Sequence, residues 1–140
     1  MIYIASTDSR AKMPSVATAG SVGLDLYALE SYLIEPSPAD PVLVRTGIAA
    51  QIPHGYEGQI RGRSGLALRG IMCHVGTIDT DYRGELKAVL FNVTSEPFFI
   101  DAGDRIAQLV ISPIMPPNFT PALVLPGTDR GGNGFGSSGR

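Results

Sequence analysis

Asp79 and Asp81 stand two residues apart in the segment 76–85, GTIDTDYRGE, beside Tyr82 and Arg83. An acid pair next to an aromatic ring and a guanidinium suits a general base for water, held near a metal-bound polyphosphate. The plainer alternative is an Asp-rich turn closed by salt bridges. On an extended strand both carboxylates would face one side. The segment 62–70, GRSGLALRG, sets Arg63 and Ser64 ahead of a short helical turn. Free N–H groups there attract anions, and Arg63 adds a forked donor for phosphate. Asp25 lies inside the apolar segment 19–28, AGSVGLDLYA. It is either a structural acid satisfied by protein partners or one associated with a metal. Gln108, in GDRIAQLV over 103–110, must find partners for its amide in the protein or in a ligand. Arg130 and Phe135 are set among glycines in the tail 129–140, DRGGNGFGSSGR. That composition suits a flexible linker. Yet glycines let backbone N–H groups approach phosphates, and a strap closing over a nucleotide would use both the charge and the ring.

Other schemes are absent. The chain has no GxxxxGK[ST] loop, no GxGxxG after a strand and no GxSxG elbow. One cysteine, Cys73, and two histidines, His54 and His74, cannot supply a deaminase-type zinc site. The candidate base is therefore a carboxylate and the nucleophile water. A net charge of -2 is a poor footprint for nucleic acid, whereas a free nucleotide needs only a few placed cations and a metal ion. Cys73 can form no intramolecular disulfide and reads as a small buried hydrophobe in a chain of a reducing compartment. Residues 1–5 lack the pattern of a signal segment, and no run approaches the roughly 18 apolar residues of a membrane helix. The expectation is a soluble, cytoplasmic protein (or a nuclear one, or one made inside an infected cell), with no membrane or nucleic-acid partner.

The elements that must position these residues are short. Gly 17 and Pro 11 in 140 residues punctuate β-prone runs, and no segment holds a helical period. Strands are expected at 2–5, 24–28, 42–46, 47–52, 57–61, 85–92, 98–101, 105–112 and 122–125. Those at 98–101 and 105–112 are expected to pair across the turn Ala102-Gly103-Asp104. A single helical turn is expected at 65–69, stopped by Gly70. The pattern is all-β, an antiparallel barrel or jelly roll in one domain, with a distinct tail.

In order and chemistry these segments resemble the five motifs of the trimeric dUTPase family, spanning residues 19–140. The resemblance implies a jelly-roll-like distorted β-barrel (β-clip) over 1–128, with a flexible Gly-rich arm at 129–140. It also implies a homotrimer whose active sites form between subunits, each covered by a strap from a neighbour. The implied reaction is Mg²⁺-assisted hydrolysis of dUTP to dUMP and pyrophosphate. This limits uracil in DNA and supplies dUMP for thymidylate synthesis. Asp79 matches the family's water-activating carboxylate. A pocket hairpin from about Cys73 to Tyr82 would read uracil through backbone groups of Gly76, Thr77 and Ile78, with Tyr82 under the deoxyribose excluding a 2′-OH. Arg63, Ser64, Gly65 and Gln108 would hold phosphates, and Asp25 the waters of Mg²⁺. Arg130 would meet the γ-phosphate, Phe135 would stack on uracil, and Gly136, Ser137 and Ser138 would grip phosphate oxygens. Lys87 matches a position that lines the site. The chain departs from many bacterial members in a shorter 68–76 stretch, in Cys73 where they carry an Asn, and in Gly62 where they carry a Pro. The competing readings are a dCTP deaminase-like enzyme, a dUTPase scaffold with a regulatory binding role, and an unselective nucleotide-binding barrel.

Overall fold

A computed structural model describes residues 1–115 and 117–133. Ten strands and one helical turn are formed: β1 (Tyr3–Ser6), β2 (Gly23–Tyr27), β3 (Tyr32–Ile34), β4 (Ser37–Gln51), β5 (Tyr56–Arg61), α1 (Ser64–Ala67), β6 (Ile71–Cys73), β7 (Gly76–Ile78), β8 (Leu86–Asn92), β9 (Phe98–Ile100) and β10 (Arg105–Pro113). The all-β expectation holds. The described strands form three antiparallel sheets, ordered β1-β4-β8-β6, β2-β10-β5-β7 and β3-β9. The core lies between them. In β8, Leu86, Ala88 and Leu90 are fully buried while Lys87, Val89 and Phe91 alternate to the other face. Leu26, Ile60 and Leu109 fill it from the opposing sheet. Each such leucine contributes roughly 2 kcal/mol through burial.

Several expectations change. The runs 42–46 and 47–52 belong to one strand, β4, whose register with β8 shifts between Arg45 and Ile48. Gly47 sits in that shift with φ 67, and a Cβ there would stand 2.7 Å from that of Ala11. Both facts demand glycine at this bulge. Its N–H donates to Glu85 Oε1 at 2.8 Å, and Arg45 Nε lies 3.1 Å from Glu85 Oε2.

β9 and β10 do not pair with each other. β9 pairs with β3, and β10 runs between β2 and β5. The turn between them spends its backbone groups elsewhere: Gly103 N–H donates to Ala28 O and Ala28 N–H to Asp104 O. The chain is thereby pinned to the end of β2 and changes sheet. Residues 122–125 form no strand, and Leu123, Val124 and Leu125 are exposed. They have no sheet edge to join among the described residues of this chain.

Candidate active site

The sheet β2-β10-β5-β7 carries the chemistry. Asp25 of β2, Gln108 of β10 and Arg61 of β5 are direct cross-strand partners, so their side chains share one face. α1 follows β5 at once and brings Arg63, Ser64 and Gly65 to the same end. Leu66 N–H is the first in this turn to reach a carbonyl, that of Arg63. The Ser64 and Gly65 N–H groups are therefore left at its open end. A cleft of about 250 Å³ is lined by Ser21, Gly23, Asp25, Arg63, Ser64, Gly65 and Gln108, among others.

Asp25 is 8% exposed and spans two guanidinium groups. Oδ1 lies 3.2 Å from Arg63 Nε, and Oδ2 lies 3.3 Å from Arg105 Nη1. Arg63 Nη1 also donates to Arg105 O at 3.0 Å. These contacts hold Arg63 at the cleft wall. Gln108 Nε2 donates to Gly62 O at 3.0 Å, so its amide finds a protein partner. A Cβ on Gly23 would overlap the Gln108 amide oxygen and stand 3.0 Å from its carbonyl carbon. That glycine makes room for Gln108 to lie over β2. Sequence reasoning misses Arg105. Its only signal is a cation at the start of an apolar strand, and its partner Asp25 is eighty residues away.

Asp79 lies elsewhere. It follows β7 in a turn that Tyr82 N–H closes onto Asp79 O at 3.2 Å. The expected extended strand through Asp79 and Asp81 is therefore replaced by a turn. Both acids line a second cleft of about 550 Å³ with His54, Glu57, Thr77, Ile78 and Thr80. Asp79 is level with Glu57 on β5, because Ile78 pairs with Gly58, whereas Asp25 is level with Arg61. Three strand spacings across and four residues along separate the two carboxylates by about 19 Å. Between them Glu57, Gln59 and Arg61 form a hydrogen-bonded row along β5, each link 2.8 Å.

The expected pocket hairpin from Cys73 to Tyr82 is not a paired ladder. β6 pairs with β8, and β7 pairs with β5. Two adjacent segments thus end two different sheets, each with a neighbour on one side among the described residues. Edge strands keep backbone N–H and C=O groups free for another partner. Gly76 has open space where a Cβ would stand. Cys73 packs its Cβ against Gly62, and burial pushes its thiol up to about 11. Tyr82 is 42% exposed and its hydroxyl donates to Glu85 O at 3.0 Å. Lys87 faces Arg45 across the β4–β8 ladder and lines neither cleft. Arg130 is exposed and bonds Asn133 O. Phe135, Gly136, Ser137 and Ser138 lie outside the described residues.

The described residues hold no cluster of three or more metal-ligating side chains. A lone carboxylate at a cleft wall fits an ion carried mainly by phosphate oxygens and water, as Mg²⁺ prefers, and not a protein cage. No helix is long and apolar enough to cross a membrane among the described residues.

The family model described as dUTPase matches residues 9–139. A deoxyuridine 5'-triphosphate nucleotidohydrolase of Zymomonas mobilis is 49% identical over 129 residues, covering 90% of this chain and 87% of its own length. One from Helicobacter hepaticus is 46% identical over 141 residues, covering 99% and 88%. Among solved structures, a variant of the Staphylococcus bacteriophage 80alpha dUTPase with dUpNHpp superposes with a TM-score of 0.91 at 27% identity. It covers 100% of this chain and 99% of that one.

Proposed function

We infer that this chain, which belongs to the dUTPase family, is a dUTP diphosphatase that cleaves dUTP to dUMP and pyrophosphate. The observation that carries the mechanism is the division of the site into two clefts on one sheet. The Asp25 cleft offers phosphate chemistry: the Arg63 guanidinium, the open end of α1 and Gln108. Donors there favour charge that grows on departing pyrophosphate. The other cleft offers Asp79, an exposed carboxylate able to take a proton from water attacking the α-phosphorus in line.

The free edges of β6 and β7, at Cys73, Gly76, Thr77 and Ile78, suit a pyrimidine read by backbone hydrogen bonds. Tyr82 suits packing under a deoxyribose, where a 2′-OH would lose room. Mg²⁺ would be held by the triphosphate, with Asp25 on its waters, and would neutralise phosphate charge. Lys87, Arg130 and the tail residues Phe135, Gly136, Ser137 and Ser138 would act on a neighbouring subunit's nucleotide.

Carboxylates about 19 Å apart cannot both serve one triphosphate. The two half-sites therefore come from different copies of the chain, in keeping with a homotrimer. Exposed Leu123, Val124 and Leu125 suit burial against a second copy. A cytoplasmic enzyme fits this reading.

The test is pyrophosphate release from dUTP, dTTP, UTP and dCTP, with solution mass measured alongside. Asp79→Asn is expected to lower turnover by about 10²–10⁴ while a non-hydrolysable dUTP analogue binds with little change. Full turnover by Asp79→Asn removes the assigned base. Equal rates on all four nucleotides remove the selectivity.

A further inference from the structure

We propose that Gly84 is a specificity-determining position that sets the pose of the Tyr82 ring and thereby the rejection of ribonucleotides. The inference rests on the role given to Tyr82 above. Gly84 is not among the glycines with positive φ, so its backbone is open to any L residue. Its need for a hydrogen side chain is steric. A Cβ there would overlap the Tyr82 hydroxyl, stand 2.5 Å from Cζ and 3.0 Å from Cε2. The phenol lies across the glycine and is tied beyond it to Glu85 O.

The backbone around this contact cannot yield easily. Arg83 Nη1 donates to both Thr80 O and Tyr82 O at 2.8 Å, bracing the turn from within. Glu85 is held by its carboxylate, which accepts from Gly47 N–H and Arg45 Nε. Leu86, the next residue, is fully buried. Tyr82 itself is partly exposed, and the atoms nearest the added methyl are at the free end of its side chain. A methyl at position 84 therefore moves the ring and leaves the turn in place. A ring swung from its seat no longer fills the space under the sugar, and a 2′-OH gains room. Gly84 is thus a positioning residue that acts through Tyr82.

The experiment compares kcat/KM for dUTP and UTP in the full-length wild type, Gly84→Ala, Tyr82→Ala and the double variant. The dUTP/UTP ratio is expected to fall about tenfold in Gly84→Ala, the scale on which pockets sort substrates by one small group. It should fall at least as far in Tyr82→Ala, and adding Gly84→Ala to Tyr82→Ala should change it no further. A ratio unchanged in Gly84→Ala but lowered in Tyr82→Ala overturns the inference alone. A ratio unchanged in both removes the role of Tyr82 and the inference with it. Additive losses in the double variant also overturn it. Should Gly84→Ala fail to fold, the double variant, whose methyl meets no phenol, must recover the fold. A double variant as unfolded as the single one overturns the inference.

Discussion

Replacing Asp25 with asparagine removes one charge and turns one acceptor oxygen into a donor. Whichever way the amide lies, its NH₂ faces either Arg63 Nε or Arg105 Nη1, and a donor meets a donor. One charge-assisted hydrogen bond is lost, worth about 1.5–3 kcal/mol, and two guanidinium groups keep no full countercharge. Solvent screens the loss, because the Arg63 and Arg105 side chains are 26% and 48% exposed. A net cost of about 2 kcal/mol follows. For a chain of this length that lowers Tm by about 7 °C, measured calorimetrically at fixed protein concentration. Arg63 also loses its fixed aim into the cleft, so KM for dUTP should rise about tenfold, a change equivalent to about 1.4 kcal/mol. An Asp25→Asn protein with unchanged Tm and KM but altered Mg²⁺ dependence would refute the clamp and leave Asp25 serving the metal alone.

Three further perturbations test other parts of the structure. Asn92 is fully buried; its Nδ2 donates to Ile34 O and Glu96 O, and its Oδ1 accepts from Thr94. Asn92→Ala strands the Ile34 carbonyl and should cost about 3 kcal/mol, read as a Tm drop of about 10 °C. Cys73, pushed up to about 11, should alkylate slowly at pH 8 and faster as pH nears 11. The unfolded thiol ionises first, so this group's contribution to stability is present below its ordinary value and lost between about 9 and 11; fast labelling at pH 8 would contradict its burial. Deleting residues 129–140 should leave the melting transition in place and cripple dUTP hydrolysis, since the described part of that segment is exposed. A deletion that unfolds the protein would make the tail structural.

The strands with a full period were legible. β8 alternates over Leu86, Ala88 and Leu90, and β5 over Gly58 and Ile60, because each hides one face. β3, β6 and β7 have three residues each, too few to carry a period, and their existence is decided by partners distant in the chain. The pairing of β9 was misread for the same reason: a Gly turn signals a reversal but not which edge receives the next strand. In the site, Arg63, Ser64 and Gln108 were legible as polar residues among glycines. Arg105 was not, because its meaning lies in an ion pair across the β2–β10 ladder. Gly84 was not, because a glycine kept for the ring beside it looks like any turn glycine.

The separation of Asp25 and Asp79 on one sheet has a genetic consequence under the proposed assembly. Two inactive alleles, one damaged at each carboxylate, would not be equivalent copies of one defect. Co-expressed, their products would mix in the same oligomers. Some interfaces would then draw an intact phosphate face from one product and an intact base from the other. Activity would reappear from two silent genes, at a level set by the statistics of mixing.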